Sequence, residues 1–234
     1  MTIVTSQPSP GVIQALLDRP ASRNAINLEM VRKLGAVVRN HEARVIILGS
    51  TTDEALSAGV DLKLSKADRA EVSRELYGLY ETMRTTEAIV VVALSGYAIG
   101  GGAQLLIASD FRVASPNATI RFRGPGHGLA VGAWGLPGLV GRGRAVDLTL
   151  TMRSVGAAEA HAIGLIERIE DEPLQYALGF AEEVSRLSAP AVAAIKRIIG
   201  MPDPIEALRA ERDHNDGWDG VIPSESEGGS DFAR

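Results

Sequence analysis

The 234-residue chain contains no cysteine. That excludes a disulfide scaffold, a thiolate nucleophile and any Cys-ligated zinc or iron–sulfur site. Long apolar runs are also missing. The longest, Ala88 to Leu94, is bounded by Glu87 and Ser95, far short of the ~20 residues that a membrane-crossing helix needs. The first residues, Met1-Thr2-Ile3-Val4-Thr5-Ser6-Gln7, have no basic stretch followed by an apolar one, so no secretion signal is expected. Nor is there an excess of positive charge. With 24 basic and 29 acidic residues the formal net charge is −5, which gives no electrostatic reason to expect nucleic acid as a partner. The four histidines (His41, His127, His161, His214) form no i, i+4 pair, so the usual helical metal-ligand spacing is absent. These absences point to a cytoplasmic protein.

What is present is an ordinary globular composition, 45% hydrophobic and 23% charged, at a length that buries roughly 70% of the unfolded surface. Ile3-Val4 and Val12 to Leu17 read as a hairpin around the turn chemistry of Pro8-Ser9-Pro10-Gly11. Asn27 is a good N-cap, and Leu28, Val31, Leu34 and Val38 follow helical spacing behind it. Val45–Leu48, Ile89–Leu94 and Phe111–Ala114 read as short buried strands. Arg69–Met83 and Ala103–Ala108 read as the helices that separate them. This alternation predicts an α/β fold with buried parallel strands. From about Ala157 the pattern is nearly all helical: 157–163, 174–187, 190–199 and 204–214. Domain boundaries of 1–185 for the α/β core and 186–234 for a C-terminal helical region follow from that shift.

The glycine-rich stretches fail three tests. A dinucleotide-binding fingerprint counted from Gly100 meets Leu105 where glycine is needed. A phosphate-binding loop counted from Gly96 meets Gly102 where lysine is needed. A nucleophile elbow around Ser95 meets Ala93. Two other loops stand out. Ser57-Ala58-Gly59-Val60-Asp61-Leu62 follows the first buried strand, and Gly96-Tyr97-Ala98-Ile99-Gly100-Gly101-Gly102 follows the second. Small residues let a ligand approach the backbone, and N–H groups at a helix start are unpaired donors. Two such donors converging on one point form an oxyanion hole; ordinary helix-entry turns have the same composition.

Taken in order, Leu17-Asp18-Arg19-Pro20, Arg23-Asn24-Ala25-Ile26-Asn27, the two loops, and Leu139-Val140-Gly141-Arg142-Gly143-Arg144-Ala145 resemble the enoyl-CoA hydratase/isomerase (crotonase) family. Ala158-Glu159-Ala160 and Gly164-Leu165-Ile166 continue the likeness to about Ile169. The resemblance implies a spiral of ββα units with a C-terminal helical region that assembles trimers or dimers of trimers. It implies an acyl-CoA thioester as ligand, so that coenzyme A enters with the substrate and no cofactor is held permanently. The oxyanion donors carried onto this chain are Val60 and Gly101. Ser22, Arg23, Ala58, Asp61, Leu62 and Lys63 match positions along the coenzyme A arm, Asp61 matching one that holds the loop's shape. Trp134 has the chemistry to stack on an acyl or aromatic group, and equally that of a core or interface tryptophan.

The family's hydratases carry two glutamates for the water and the α-proton. Here Gln104 occupies the first position, and Gly126, after Pro125, the second. A glutamine can position water but cannot take a proton, and each acid–base group contributes ~10²–10⁴-fold. His127 is the one base in the neighbouring stretch. Two outcomes stay open: an enzyme with an unusual acid/base set, or a homologue that binds acyl-CoA without turning it over.

Overall fold

In a computed structural model the described residues are 2–202 and 208–209. Of the expected helix at 204–214 only 208–209 are described, as helix, and the rest of it and the tail beyond lie outside the described residues. Contacts along the chain group residues 1–193 in one compact unit and 194–234 in another.

The first unit is built on a six-stranded sheet in the order β1 (Ile3–Ser9), β2 (Val12–Leu17), β3 (Val45–Ser50), β5 (Ile89–Leu94), β7 (Phe111–Ala114), β10 (Arg168–Ile169). Only the β1–β2 hairpin is antiparallel; the neighbours from β2 to β10 run parallel. A second sheet is made of very short strands, in the order β4 (Ala55–Ser57), β6 (Tyr97–Ile99), β8 (Thr119–Arg121), β9 (Val155–Gly156). Each main-sheet strand from β3 to β7 thus hands the chain to a strand of the small sheet. After β4 the chain enters α2 (Lys66–Thr85), and after β6 it enters α3 (Gly101–Ala108). This is the ββα repeat that the resemblance implied.

The strands are apolar on both faces because both are covered. Ile46, Leu48, Val90, Val92 and Leu94 point into a core shared with α1 (Leu28–Val38), α2 and α3. Val45, Ile47, Val91 and Ala93 point the other way, against Ala177 and Ala181 of α7 (Pro173–Ser185). Continuous β-branched runs are what parallel strands buried on two sides require.

Two sequence readings shift. The hairpin's first strand runs through Pro8 to Ser9, and the turn tightens to Pro10-Gly11 with Gly11 at φ +76°. An edge strand tolerates a proline because its outward N–H has no ladder partner to lose. Helix α2 starts at Lys66, not Arg69, because the Ser65 hydroxyl accepts from the Asp68 N–H and caps the helix one turn earlier. The remaining helices are α4 (Leu136–Val140), α5 (Arg142–Thr151), α6 (Ala157–Ala162) and α8 (Ala189–Ile199).

Candidate functional site

The two glycine-bearing loops come together because β4 and β6 are parallel neighbours. Ser57 pairs with Ala98, and just past these strand ends the chain runs into the loop that holds Val60 and the helix start that holds Gly101. The approach is backbone to backbone. A Cβ on Gly59 would lie 2.9 Å from the Ile99 carbonyl oxygen and 3.7 Å from the Gly101 nitrogen. One on Gly102 would lie 2.7 Å from the Ser57 Cβ. Glycine at 59 is doubly required, since its φ is +89°.

On its other edge the first loop pairs with Ile26. The Ile26 N–H donates to the Gly59 carbonyl at 2.7 Å, and the Asp61 N–H donates to the Ile26 carbonyl at 2.9 Å. In such a parallel bridge the flanking residues make the bonds, so the N–H of Val60 is directed to the opposite side, where β6 and the start of α3 lie. The Gly101 N–H opens α3, whose N-terminus has no side-chain cap, and first-turn amides have no partner inside the helix. Its N-cap, Gly100, sits at φ 54°, ψ −114°, a conformation that L side chains avoid.

Several side chains hold this arrangement, and the sequence pointed to few of them. The Asp61 carboxylate takes both terminal nitrogens of Arg19 at 3.1 Å and accepts from the Lys63 N–H at 3.1 Å. It is thereby occupied in fixing the loop. Arg19 also donates to the Ala25 carbonyl. Arg69 of α2 donates to the carbonyls of Leu62 (2.9 Å) and Leu64 (3.1 Å). Arg23 and Asn24 are consecutive left-handed residues at φ 50° and 53°. The Asn24 amide is fully buried: it accepts from the Arg19 N–H and donates to Ser50 Oγ and the Ala55 carbonyl. Asn24→Ala strands those partners and keeps a backbone that alanine dislikes, so it is expected to cost about 2–3 kcal/mol, read by denaturant unfolding.

The remaining expected contact residues spread around this centre. Ser22 bonds locally to the Arg19 carbonyl. Arg23 is exposed and pairs with Glu54 at 2.6 Å. Ala58 donates its N–H to the Arg23 carbonyl at 2.9 Å. Leu62 and Lys63 are exposed. His127 is exposed on the 3-10 turn Pro125–His127, and its ring has no hydrogen-bond or ion-pair partner among the described residues. That turn rests on Met152, whose Sδ is 3.4 Å from the Gly126 nitrogen.

Gln104 is buried in α3, and its carbonyl oxygen accepts from the Gly132 N–H and from Trp134 Nε1, each at 3.0 Å. Both lone pairs are therefore filled, leaving no position from which that oxygen could hold a water. Trp134 stacks on Tyr80 (centroids 6.2 Å apart, planes 21° apart), and Tyr77 meets Tyr80 edge-on. Tyr77 Oη donates to the Ala130 carbonyl at 3.1 Å. The Tyr80 hydroxyl donates to the Gly101 carbonyl at 2.8 Å.

Burial pushes the Tyr80 phenol far above its ordinary value of 10.0. A group whose folded value is raised contributes stability that is whole below the unfolded value and is lost as pH climbs above it. Stability is thus expected to fall above about pH 10. At least one of the four tyrosines should ionise only as the chain unfolds, followed by phenolate absorbance alongside circular dichroism.

Among the described residues no group of three or more His, Asp or Glu side chains is placed to hold a metal ion, and no helix is long and apolar enough to cross a membrane. The sequence profile of the family described as "Enoyl-CoA hydratase/isomerase" matches residues 7–217. A "Probable enoyl-CoA hydratase" of Rhizobium meliloti (strain 1021) is 33% identical over 227 residues, spanning 90% of this chain and 86% of that protein. The fold is similar to a crystal structure of "Enoyl-CoA Hydratase from Bacillus anthracis" (TM-score 0.86, 26% identity, 93% of this chain and 90% of that one). It is also similar to "a putative enoyl-CoA hydratase from Thermobifida fusca YX in complex with acetoacetyl-CoA" (TM-score 0.81, 26% identity, 92% and 93%).

Proposed function

Because the chain belongs to the enoyl-CoA hydratase/isomerase family, we propose that it binds acyl-CoA thioesters with the carbonyl oxygen between the N–H groups of Val60 and Gly101. The observation that carries this reading is the close backbone approach of the two loops, where a Cβ on Gly59 would stand 3.7 Å from the Gly101 nitrogen while Ile26 pairs with Val60 on the other edge. Two preorganised main-chain donors stabilise the enolate-like charge that develops on a thioester oxygen when the α-carbon gains electron density. Each donor is worth roughly 3 kcal/mol by analogy with a deleted oxyanion donor. Support for the ligand also comes from the acetoacetyl-CoA bound to the Thermobifida fusca neighbour. Lys63 and Arg23 are exposed cations beside the first loop. The Arg23–Glu54 pair is exposed on both sides and so is weak enough to yield to a phosphate.

Water addition is not the favoured reaction. Gln104 and Gly126 stand where the family's hydratases carry glutamates, and losing two acid–base groups typically costs ~10²–10⁴-fold each. The enzymatic version of this reading therefore uses an atypical acid/base set, with His127 as its candidate. The filled Gln104 oxygen favours the second version, a homologue that holds acyl-CoA without turnover. In either version a cytoplasmic homotrimer or dimer of trimers is part of the proposal.

The test pairs loss of enoyl-thioester absorbance with an acyl-CoA titration by calorimetry. Binding without rapid hydration is expected. Turnover that collapses on His127→Ala identifies the enzyme; micromolar binding with no turnover identifies the carrier; hydration at the rate of a glutamate-bearing hydratase contradicts both. The absence of acyl-CoA binding would overturn the proposal.

A further inference from the structure

Trp134 is 45% exposed and yet held from three directions. Its edge is fixed, because the indole Nε1–H donates to the Gln104 side-chain oxygen at 3.0 Å. One face is backed by the Tyr80 ring, with centroids 6.2 Å apart and planes 21° apart. The backbone is clamped on both sides. A Cβ on Gly132 would stand 2.9 Å from Phe122 Cδ1, and one on Gly135 would collide with Ile107; Phe122 and Ile107 are both buried in the core. The Gly132 N–H shares the Gln104 oxygen, also at 3.0 Å.

Leaving apolar surface in water costs free energy, and so does freezing the side chain that carries it. Both costs fall on one residue here. The result is a rigid aromatic face open to solvent, as a preorganised binding surface requires. That face stands beside the thioester position. Gln104 follows Gly101 by three residues on α3, so the two share one face of the helix, a turn apart. The indole edge therefore ends one turn from the proposed oxyanion donor. Tyr80, which backs the indole, donates its hydroxyl to the Gly101 carbonyl at 2.8 Å. Tyr77 Oη donates to the Ala130 carbonyl, a second tie between α2 and the segment that carries Trp134.

We propose that Trp134 is a specificity-determining residue that selects acyl-CoA thioesters with a planar, conjugated or aromatic acyl group, and that Gln104 is the positioning residue that holds the indole for it. The inference rests on the acyl-CoA reading above. A flat π-system against the indole gains the stacking preference of aromatic pairs, about two- to tenfold in affinity beyond the area it buries. A puckered ring gains the area alone, and a flexible chain also loses rotamer freedom. Gln104 then serves the site through its acceptor oxygen, not as a disabled acid.

Cinnamoyl-CoA and 3-cyclohexylpropanoyl-CoA share one carbon skeleton, and only the first is flat and conjugated. In calorimetric titrations the parent protein is expected to bind the cinnamoyl thioester about three- to tenfold more tightly. Conjugation also alters the thioester carbonyl itself, so the decisive reading is how this ratio changes in variants. Trp134→Leu is expected to bring the ratio near one and to leave the binding of free coenzyme A unchanged. Trp134→Phe keeps a smaller ring and is expected to keep part of the preference. Gln104→Met keeps the bulk but not the amide acceptor, and is expected to lower the ratio in protein that remains folded. Equal binding of the two thioesters by the parent, or a preference that survives Trp134→Leu, overturns the inference. A merely structural Gln104 lowers the melting temperature of Gln104→Met and leaves the ratio intact, which overturns its positioning role. If neither thioester binds, it is the acyl-CoA reading that fails.

Discussion

Gly59→Ala is expected to leave a folded protein that has lost its grip on thioesters. At φ +89° an L side chain carries a strain of about 1–2 kcal/mol. The larger effect is spatial. The new methyl would meet the Ile99 carbonyl oxygen at 2.9 Å and stand 3.7 Å from the Gly101 nitrogen. Neither neighbour is the free end of a side chain, so the strain cannot be relieved by a rotamer change. The two loops must separate, and separation moves Val60 and Gly101 apart. The loss of thioester binding or turnover is expected to reach about 10²–10³-fold, as when an oxyanion donor is removed. Free coenzyme A binding should change far less. Gly78→Ala is the control: this exposed α2 glycine has nothing within 4 Å of the added methyl. It is expected to raise stability by roughly 0.5–1 kcal/mol and leave binding alone. Calorimetric titration of all three proteins, with thermal unfolding alongside, reads both effects.

The second large effect belongs to the scaffold behind the site. Arg112 on β7 is 3% exposed and donates from one terminal nitrogen to the carbonyls of Leu106 (3.1 Å) and Ser109 (2.9 Å) at the end of α3. Its other terminal nitrogen pairs with the Glu167 carboxylate, which also accepts from the Arg112 N–H at 2.7 Å. One side chain thus satisfies the C-terminus of the helix whose N-terminus carries Gly101, and ties down the approach to β10. Arg112→Ala takes a donor from each of those carbonyls, leaving Leu106 only the Ser109 hydroxyl, and removes the charge partner of Glu167 at the edge of the core. Breaking a buried pair from one side typically costs about 3–5 kcal/mol. For a chain of this size that lowers the melting temperature by roughly 10 °C or more. Glu167→Gln keeps the shape and one acceptor, and is expected to cost clearly less. Equal melting temperatures for Arg112→Ala and the parent would refute this role.

The parts of the fold that were legible in the sequence are those set by local pattern. β3, β5 and β7 are β-branched runs between turns, and α1 announces itself through Asn27 and its apolar spacing; each lies where the pattern places it. The small sheet was hidden from residue pattern. β4, β6 and β8 are three residues each, too short for alternation to register, and it was the ordered likeness to a known family that implied a second strand in every repeat. The same limit holds for the site. Glycines at 59 and 102 mark the close approach of the two loops, and that could be read. The partners of Gln104 could not be, because Gly132 and Trp134 are 28 and 30 residues away. Nor could the local sequence tell that Asp61 is claimed by Arg19, 42 residues earlier. Residue type gave chemical capacity; only the topology decided where each capacity is used.

The most direct test of the central claim is a crystal structure with a bound, non-reactive acyl-CoA thioester. The account places the thioester oxygen about 2.7–3.1 Å from both the Val60 and the Gly101 nitrogen. A thioester bound elsewhere on the chain, or held with its oxygen turned from either N–H, would contradict it.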